Sequence, residues 1–191
     1  MLSQLSQPQM TKRNSTRDLL IAAARNAFGS VGYDGTNSNA IARAAGFAPQ
    51  TFYRHFADKL EVFLACYALW VDEEIAALSP LTDAQEIANA LIAHHVTHKM
   101  FRRSLRALAA SEIRVAKARA QHRLAQLEWI VGASITFASL PSSTRFARLL
   151  ILERLCDAIA DDEAAMLGGQ YHDLALEVRV ALAEILQPLA Q

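Results

Sequence analysis

Apolar positions along this chain recur at intervals of three and four, and no run of useful length alternates in the manner of a strand. That period is helical. Leu20, Ala24, Ala27, Phe28 and Val31 form one stripe, opened by Ser15 or Thr16 as a cap, with Asp18 in the first turn and Gly32 as the stop. Asp34-Gly35 makes a turn, and Thr36 is placed to cap the next helix. That short helix is expected over 37–45, with Ala40, Ile41 and Ala44 on one face. Gly46 closes it, Phe47 plugs the turn, and a second short helix runs over 48–56 with Pro49 in its first turn. Asp58 with Glu61 opens a long helix to about residue 78, ended by Ser79-Pro80. Thr82 with Gln85 opens another over 82–97, with Ile87, Leu91 and Ile92 inward. Residues 100–140 hold at least two helices, broken near 110–112 with Ser111 as a cap. Pro141-Ser142-Ser143 is the next break, followed by a helix over 144–167, then Gly168-Gly169, then a last helix over 171–186 ended by Pro188. The expected fold is all-α, with about nine helices.

Two short helices joined by a tight Gly-containing turn make a helix-turn-helix, whose second helix can enter a DNA major groove. Phe52 and Phe56 are one turn apart and face inward with Phe47, which leaves Gln50, Thr51, Tyr53, Arg54 and His55 outward. All five can hydrogen-bond and none is acidic. An acid-free outer face suits a polyanion. Gln50 and Arg54 are the expected base-readers, since an amide pairs bidentately with adenine and a guanidinium with guanine. Thr51, Tyr53, His55 and Lys59 are expected on phosphate, with Thr36 and Asn39 supporting them from the preceding helix.

The segment Gly-Phe-Ala-Pro-Gln-Thr-Phe-Tyr-Arg-His-Phe-Ala-Asp-Lys at 46–59 resembles the recognition helix and following turn of TetR-type bacterial transcription regulators. Ala-Phe-Gly-Ser-Val-Gly-Tyr-Asp-Gly-Thr at 27–36 resembles that family's first helix end and connecting loop. Ser38 departs from the family, which usually has Val or Ile there. The resemblance implies a homodimer, and an apolar ligand that enters the second domain and tilts the long helix after the recognition unit.

Composition changes the picture only once the chain is divided. The 191 residues carry no net charge, 52% of them are apolar and 20% charged. Residues 1–60 nevertheless hold seven Lys and Arg against three Asp, so the polyanion-facing surface belongs at the N-terminus. The expected domains are an arm over 1–14, in which Lys12 and Arg13 can reach DNA, a helix-turn-helix domain over 15–60, and a ligand-binding and dimerisation domain over 61–191. Cys66 and Cys156 suit a reducing compartment. With neither a signal peptide nor a spanning segment evident, the expected location is cytoplasmic and no membrane partner is expected.

Large apolar or amphipathic groups at Phe63, Tyr67, Trp70, Met100, Phe101, Trp129, Phe137 and Met166 are candidates for an effector pocket. The last two helices are apolar on two faces. Leu149, Leu152, Leu155, Leu174, Val178, Leu182 and Ile185 are the residues expected to pair with a second copy in a four-helix bundle. Leu176, Val180 and Ala183 form another stripe on the last helix. His94 and His98 lie one turn apart and make a metal-responsive regulator an alternative, although a closed site needs further ligands. A helical scaffold or ligand-binding protein that does not meet DNA is another. No nucleophile elbow, phosphate loop or paired-carboxylate motif is present, so no enzyme, cofactor or metal is expected. The function expected is a sequence-specific transcription regulator, a repressor released from a palindromic operator by a small apolar or amphipathic ligand.

Overall fold

The computed structural model describes residues 15–163, 165 and 174–187, among which there are ten helices and no strand. They are α1 (Thr16–Val31), α2 (Ser38–Ala44), α3 (Pro49–Tyr53), α4 (Lys59–Leu78), α5 (Ala84–Thr97), α6 (Lys99–Ser111), α7 (Ile113–Ala133), α8 (Ile135–Ala138), α9 (Ser142–Ala160) and α10 (Leu174–Leu186). The arm over 1–14, Met166 and the Gly168-Gly169 break lie outside the described residues. No helix among them is long and apolar enough to cross a membrane.

Helix ends follow local side-chain chemistry. Ser15 caps α1 in a full capping box: its Oγ accepts from the Asp18 N–H at 3.2 Å, and the Asp18 carboxylate accepts from the Ser15 N–H at 3.1 Å. Several caps differ from expectation. Asn37, not Thr36, caps α2; Asp83, not Thr82, caps α5; and Glu112, not Ser111, caps α7. At α2 and α5 an Asn amide or Asp carboxylate displaces a neighbouring threonine, the weaker capping residue, and at α7 the Glu112 carboxylate accepts from the Arg114 N–H. The chain breaks again at His98, which separates α5 from α6. Helix α9 stops at Ala160, seven residues short of the expected end, where Asp162 adopts φ 56°.

Two apolar cores hold the helices. The first gathers Leu20, Ala24 and Phe28 of α1, Ile41 of α2, Phe52, Phe56, and the inward side of α4 from Leu60 to Val71. Phe101 and Leu105 of α6 and Val115 of α7 belong to it too. Phe63 is its centre, with its ring 5.1 Å from Phe28, 5.2 Å from Tyr33 and 4.7 Å from Phe101. Burial of one such ring stabilises by about 1.5–3 kcal/mol. This core therefore runs past residue 60 and ties the first three helices to α6. The second core joins Leu78, Ile87, Ala88 and Ile92 to Leu152 and Cys156 of α9 and to Leu182 and Leu186 of α10. Helix α4 takes part in both. Its start adjoins the helix-turn-helix and its end lies among the second set of helices.

Two expected inward stripes are corrected. Val31 is 53% exposed, because α1 ends there and the chain turns away at Gly32. In α2 the buried residues are Ser38, Ile41 and Ala42, whereas Ala40 and Ala44 face out. A seven-residue helix offers two turns, and i, i+3, i+4 fits its one packed face better than i, i+1, i+4.

Candidate nucleic-acid interface and effector cavity

The turn between α2 and α3 is closed by two hydrogen bonds, Phe47 N–H to the Ala42 carbonyl at 2.9 Å and Gly46 N–H to the Arg43 carbonyl at 3.0 Å. This is a Schellman closure, and it needs the left-handed φ of +81° that Gly46 adopts. Phe47 packs against the first core behind it. Helix α3 has Pro49 in its first turn and no side-chain cap at Ala48. Five residues cannot stabilise themselves as a helix. Its conformation is fixed by burial of Phe52 and Phe56, whose rings lie 5.5 Å apart, with the Arg17 guanidinium 5.1 Å over Phe56.

That anchoring leaves the opposite side in solvent. Gln50, Arg54 and His55 are exposed, Tyr53 is 56% exposed and Thr51 is half-buried. From residue 36 to 57 the chain has no acid, and its two charges are Arg43 and Arg54. Asn39 is exposed on α2 and Thr36 half-buried before it. Arg43, exposed in the last turn of α2, is absent from the expected contacts. Its position two residues beyond the buried Ile41, on the outer side of a short helix, is the signal that would have found it. Lys59 differs from the rest. Its ammonium donates to the Tyr33 and Thr36 carbonyls and lies over the Tyr33 ring, so it is held inward rather than extended to solvent. Burial pushes it below its ordinary pKa, against the pull of Asp34.

A second feature lies between α4, α5, α7, α9 and α10. A cavity of about 200 Å³ opens there, lined on its apolar side by Leu78, Ile87, Leu91, Trp129, Ile130 and Leu152 and on its polar side by Glu74, His95, Gln126 and Glu153. Behind the polar side is a buried charged layer that the sequence does not reveal. Asp157 accepts from His95 Nδ1 at 3.0 Å, from Arg102 Nε at 3.1 Å and Nη2 at 3.0 Å, and lies 2.8 Å from Arg106 Nη1. Asp161 holds Arg103 and Arg106; Glu153 holds Arg119 and Arg123. Glu74 accepts from Gln126 Nε2 at 2.6 Å and stands 3.5 Å from His95 Nε2. Burial alone would raise the Asp157 carboxyl, but the His95 hydrogen bond and the Arg102 guanidinium hold it well below the usual carboxylate range. Glu153 is likewise lowered: burial opposes its ionisation, and Arg123, Arg102 and Arg119 outweigh it. Burial pushes the Cys66 thiol up to about 12, so it is inert as a nucleophile at neutral pH.

Of the expected pocket residues that are described, Trp129 alone lines this cavity. Phe63, Tyr67, Trp70 and Phe101 fill the first core instead, and Met100 is half-buried beside Gly32. Phe137 is buried in α8. Aromatic bulk marks packing here, and the cavity walls are mostly aliphatic.

The expected pairing residues also need correction. Leu149, Leu152 and Leu182 are buried within one chain, and Leu155, Val178 and Ile185 are half-buried against the second core. The Leu174 side chain lies outside the described residues. The apolar residues in solvent on these helices are Phe146, Leu150 and Ile151 on α9, and Leu176 and Val180 on α10. Of the other stripe on α10, Leu176 and Val180 face out while Ala183 packs against the second core; both faces of each helix are apolar, and sequence does not order them. His94 and His98 have ring centroids 4.8 Å apart, and His94 Nε2 is 3.2 Å from the Trp70 carbonyl. Among the described residues no three His, Cys, Asp or Glu side chains are grouped to hold a metal.

Comparison with known proteins bears on the first of these sites by sequence and on the whole by fold. Residues 20–66 match the family model described as bacterial regulatory proteins, tetR family. The chain is 42% identical over 67 residues to the HTH-type transcriptional regulator TcmR of Streptomyces glaucescens, a stretch covering 35% of this chain and 30% of that protein. In structure it is similar to a Rhodococcus chain assigned to the TetR-family transcriptional regulators, with a TM-score of 0.68, 20% identity, and 92% of this chain and 98% of that one covered. The fatty acid degradation regulator FadR of Bacillus halodurans superposes with a TM-score of 0.60 at 18% identity, over 91% of this chain and 97% of that one. At such identities the structural likeness is one of fold. Residues 20–66 thus match the tetR family of bacterial regulatory proteins in sequence, and the chain shares the fold of solved proteins assigned to that family.

Proposed function

We propose that this protein is a dimeric, sequence-specific DNA-binding transcription regulator that acts as a repressor and leaves its operator when a small amphipathic ligand fills the cavity. The observation that carries the DNA reading is the outer side of α3: Gln50, Tyr53, Arg54 and His55 stand in solvent with no acid from 36 to 57, while Phe52 and Phe56 lock the helix from behind. Gln50 and Arg54 read base edges, and Thr51, Tyr53 and His55, with Asn39 beside them, meet phosphate. Thr36 and Lys59 act differently, by fixing the loop that orients α2. Two copies are required, because adjacent major-groove half-sites lie one duplex turn apart. The surface offered to the second copy is Phe146, Leu150 and Ile151 of α9 with Leu176 and Val180 of α10.

Ligand control follows from the path of α4. Its start, at Asp58 and Lys59, adjoins the recognition unit, and its end, at Glu74 and Leu78, is cavity wall. A ligand that parts α4 from α7 and α9 therefore moves the element that carries the DNA-binding head. Cytoplasmic location is part of the same reading, and no catalytic step is assigned. A gel shift with the duplex upstream of the protein's own reading frame tests it. The expected result is a discrete complex that excess random duplex does not compete away. A complex lost equally to any duplex contradicts the reading.

A further inference from the structure

We propose that Arg17 of α1 and Arg43 of α2 hold the DNA backbone at the two ends of the recognition helix, one phosphate each. This rests on the DNA reading above. Among the described residues, arginines outside the recognition unit are bonded within the chain. Arg25, Arg114 and Arg154 are paired with Glu73, Asp58 and Glu163, and those of the buried layer with Asp157, Asp161 and Glu153. Arg145, Arg148 and Arg179 donate to Ser142 Oγ and to the Ile185 and Ala175 carbonyls. Arg17, Arg43 and Arg54 have neither an ion pair nor a hydrogen bond from the guanidinium among the described residues, and all three are exposed. The cations left open to a partner are therefore those around α3.

Arg43 stands before α3. Its carbonyl accepts the Gly46 N–H in the turn, and its side chain is one helical turn on from the exposed Asn39. Arg17 stands at the other end, its guanidinium 5.1 Å from the centre of the Phe56 ring. A guanidinium stacked in this way uses its face and keeps its N–H edge free for two phosphate oxygens. The stack also orders the side chain before DNA arrives, so less rotamer freedom is lost on binding. The adjacent Asp18 carboxylate is turned to the α1 cap, where it accepts from the Ser15 N–H at 3.1 Å and Oγ at 2.8 Å. Seated beside Phe56 and not on the outer side of α3, Arg17 is placed for the wall of the groove rather than its floor. At 1.5 Å per residue, 49–56 span about 12 Å, close to the width of the major groove. Cations at the two ends of such a rod stand toward opposite phosphate walls.

The test is the salt dependence of binding to a labelled duplex of arbitrary sequence, followed by fluorescence anisotropy. Phosphate contacts carry no sequence information, so any duplex serves. A dimer that loses one such contact per copy loses about 1.8 from the slope of log K against log salt, about 0.9 for each copy. Arg17→Gln and Arg43→Gln are each expected to show that loss with thermal stability retained. Arg17→Lys keeps the charge and is expected to keep the slope. Arg25→Gln is expected to keep it too, because Glu73 already neutralises that guanidinium. A wild-type slope in Arg17→Gln or Arg43→Gln overturns the proposal for that residue. A loss of stability in Arg17→Gln with the slope intact assigns Arg17 to packing against Phe56 alone, and also overturns it. So does a slope that falls equally in Arg17→Lys or in Arg25→Gln. Wild-type protein that binds no duplex even at low salt overturns the DNA reading together with this one, whereas binding with unaltered slopes in both glutamine variants overturns this one alone.

Discussion

The Lys59 ammonium stands 2.8 Å from the Tyr33 carbonyl oxygen, 3.0 Å from that of Thr36, and 3.8 Å from the centre of the Tyr33 ring. It closes the loop between α1 and α2 onto the first turn of α4. A cation so placed sets where α2 begins, and the position of α3 depends in turn on α2. Lys59→Met should lower stability by about 1–2 kcal/mol, the worth of hydrogen bonds from a charged donor. DNA affinity should fall on every sequence alike. Lys59→Arg should not restore it, since a planar fork does not fit the same seat. Denaturant unfolding and binding to a panel of duplexes check both statements.

Arg54 has a different role and a different signature. It is exposed at the end of α3, with no ion pair among the described residues. Arg54→Ala should weaken binding by about 1–3 kcal/mol on the preferred operator and flatten the preference at one base pair of each half-site. Stability should be unchanged. Loss of affinity by an equal factor on all duplexes would move Arg54 from base to phosphate.

Asp157 is the hub of the buried charges, and its partner Arg102 is 1% exposed. Asp157→Asn leaves that guanidinium buried against a neutral amide, and should cost roughly 3–5 kcal/mol. The pH dependence has a definite sign. A carboxyl held below its unfolded value contributes stability above about pH 4, and that contribution is lost as pH falls through the folded-state value. Stability should therefore decline on acidification below about pH 4, and less steeply in Asp157→Asn. Urea unfolding at several pH values measures the slopes.

Val180 is 44% exposed on α10, across from the α10 residues that enter the core. Val180→Arg should produce monomers that remain folded and bind a full operator far more weakly, because two half-sites are no longer engaged together. Leu182→Arg should unfold the chain instead, since Leu182 is buried within it. Sedimentation velocity with circular dichroism separates the two outcomes.

Short-range chemistry decides the features that are legible in the sequence. Gly46, Phe47, Phe52 and Phe56 lie within eleven residues, so the turn and the locked recognition helix depend on neighbours alone. Likewise the breaks at Gly32 and Pro141 and the caps near Ser15 and Asp58 depend on adjacent side chains. The cavity and its charged layer do not. Asp157 meets Arg102 across 55 residues and His95 across 62, and no local pattern announces such pairings. Bulk is a poor guide as well: Phe63 and Phe101 stack on each other in the first core, while the walls of the cavity are largely Leu and Ile. In α9 and α10 the two apolar faces are visible in the sequence, but which of them packs inward depends on α5, which meets both helices.

The most direct measurement is selection of bound duplexes from a random pool by the purified protein. Two recognition helices related by two-fold symmetry predict an enriched inverted repeat, with half-site centres about one duplex turn apart, and an Arg54→Ala selection that loses one base per half-site. A pool with no enriched sequence, or one whose enriched sequence lacks two-fold symmetry, would contradict the account.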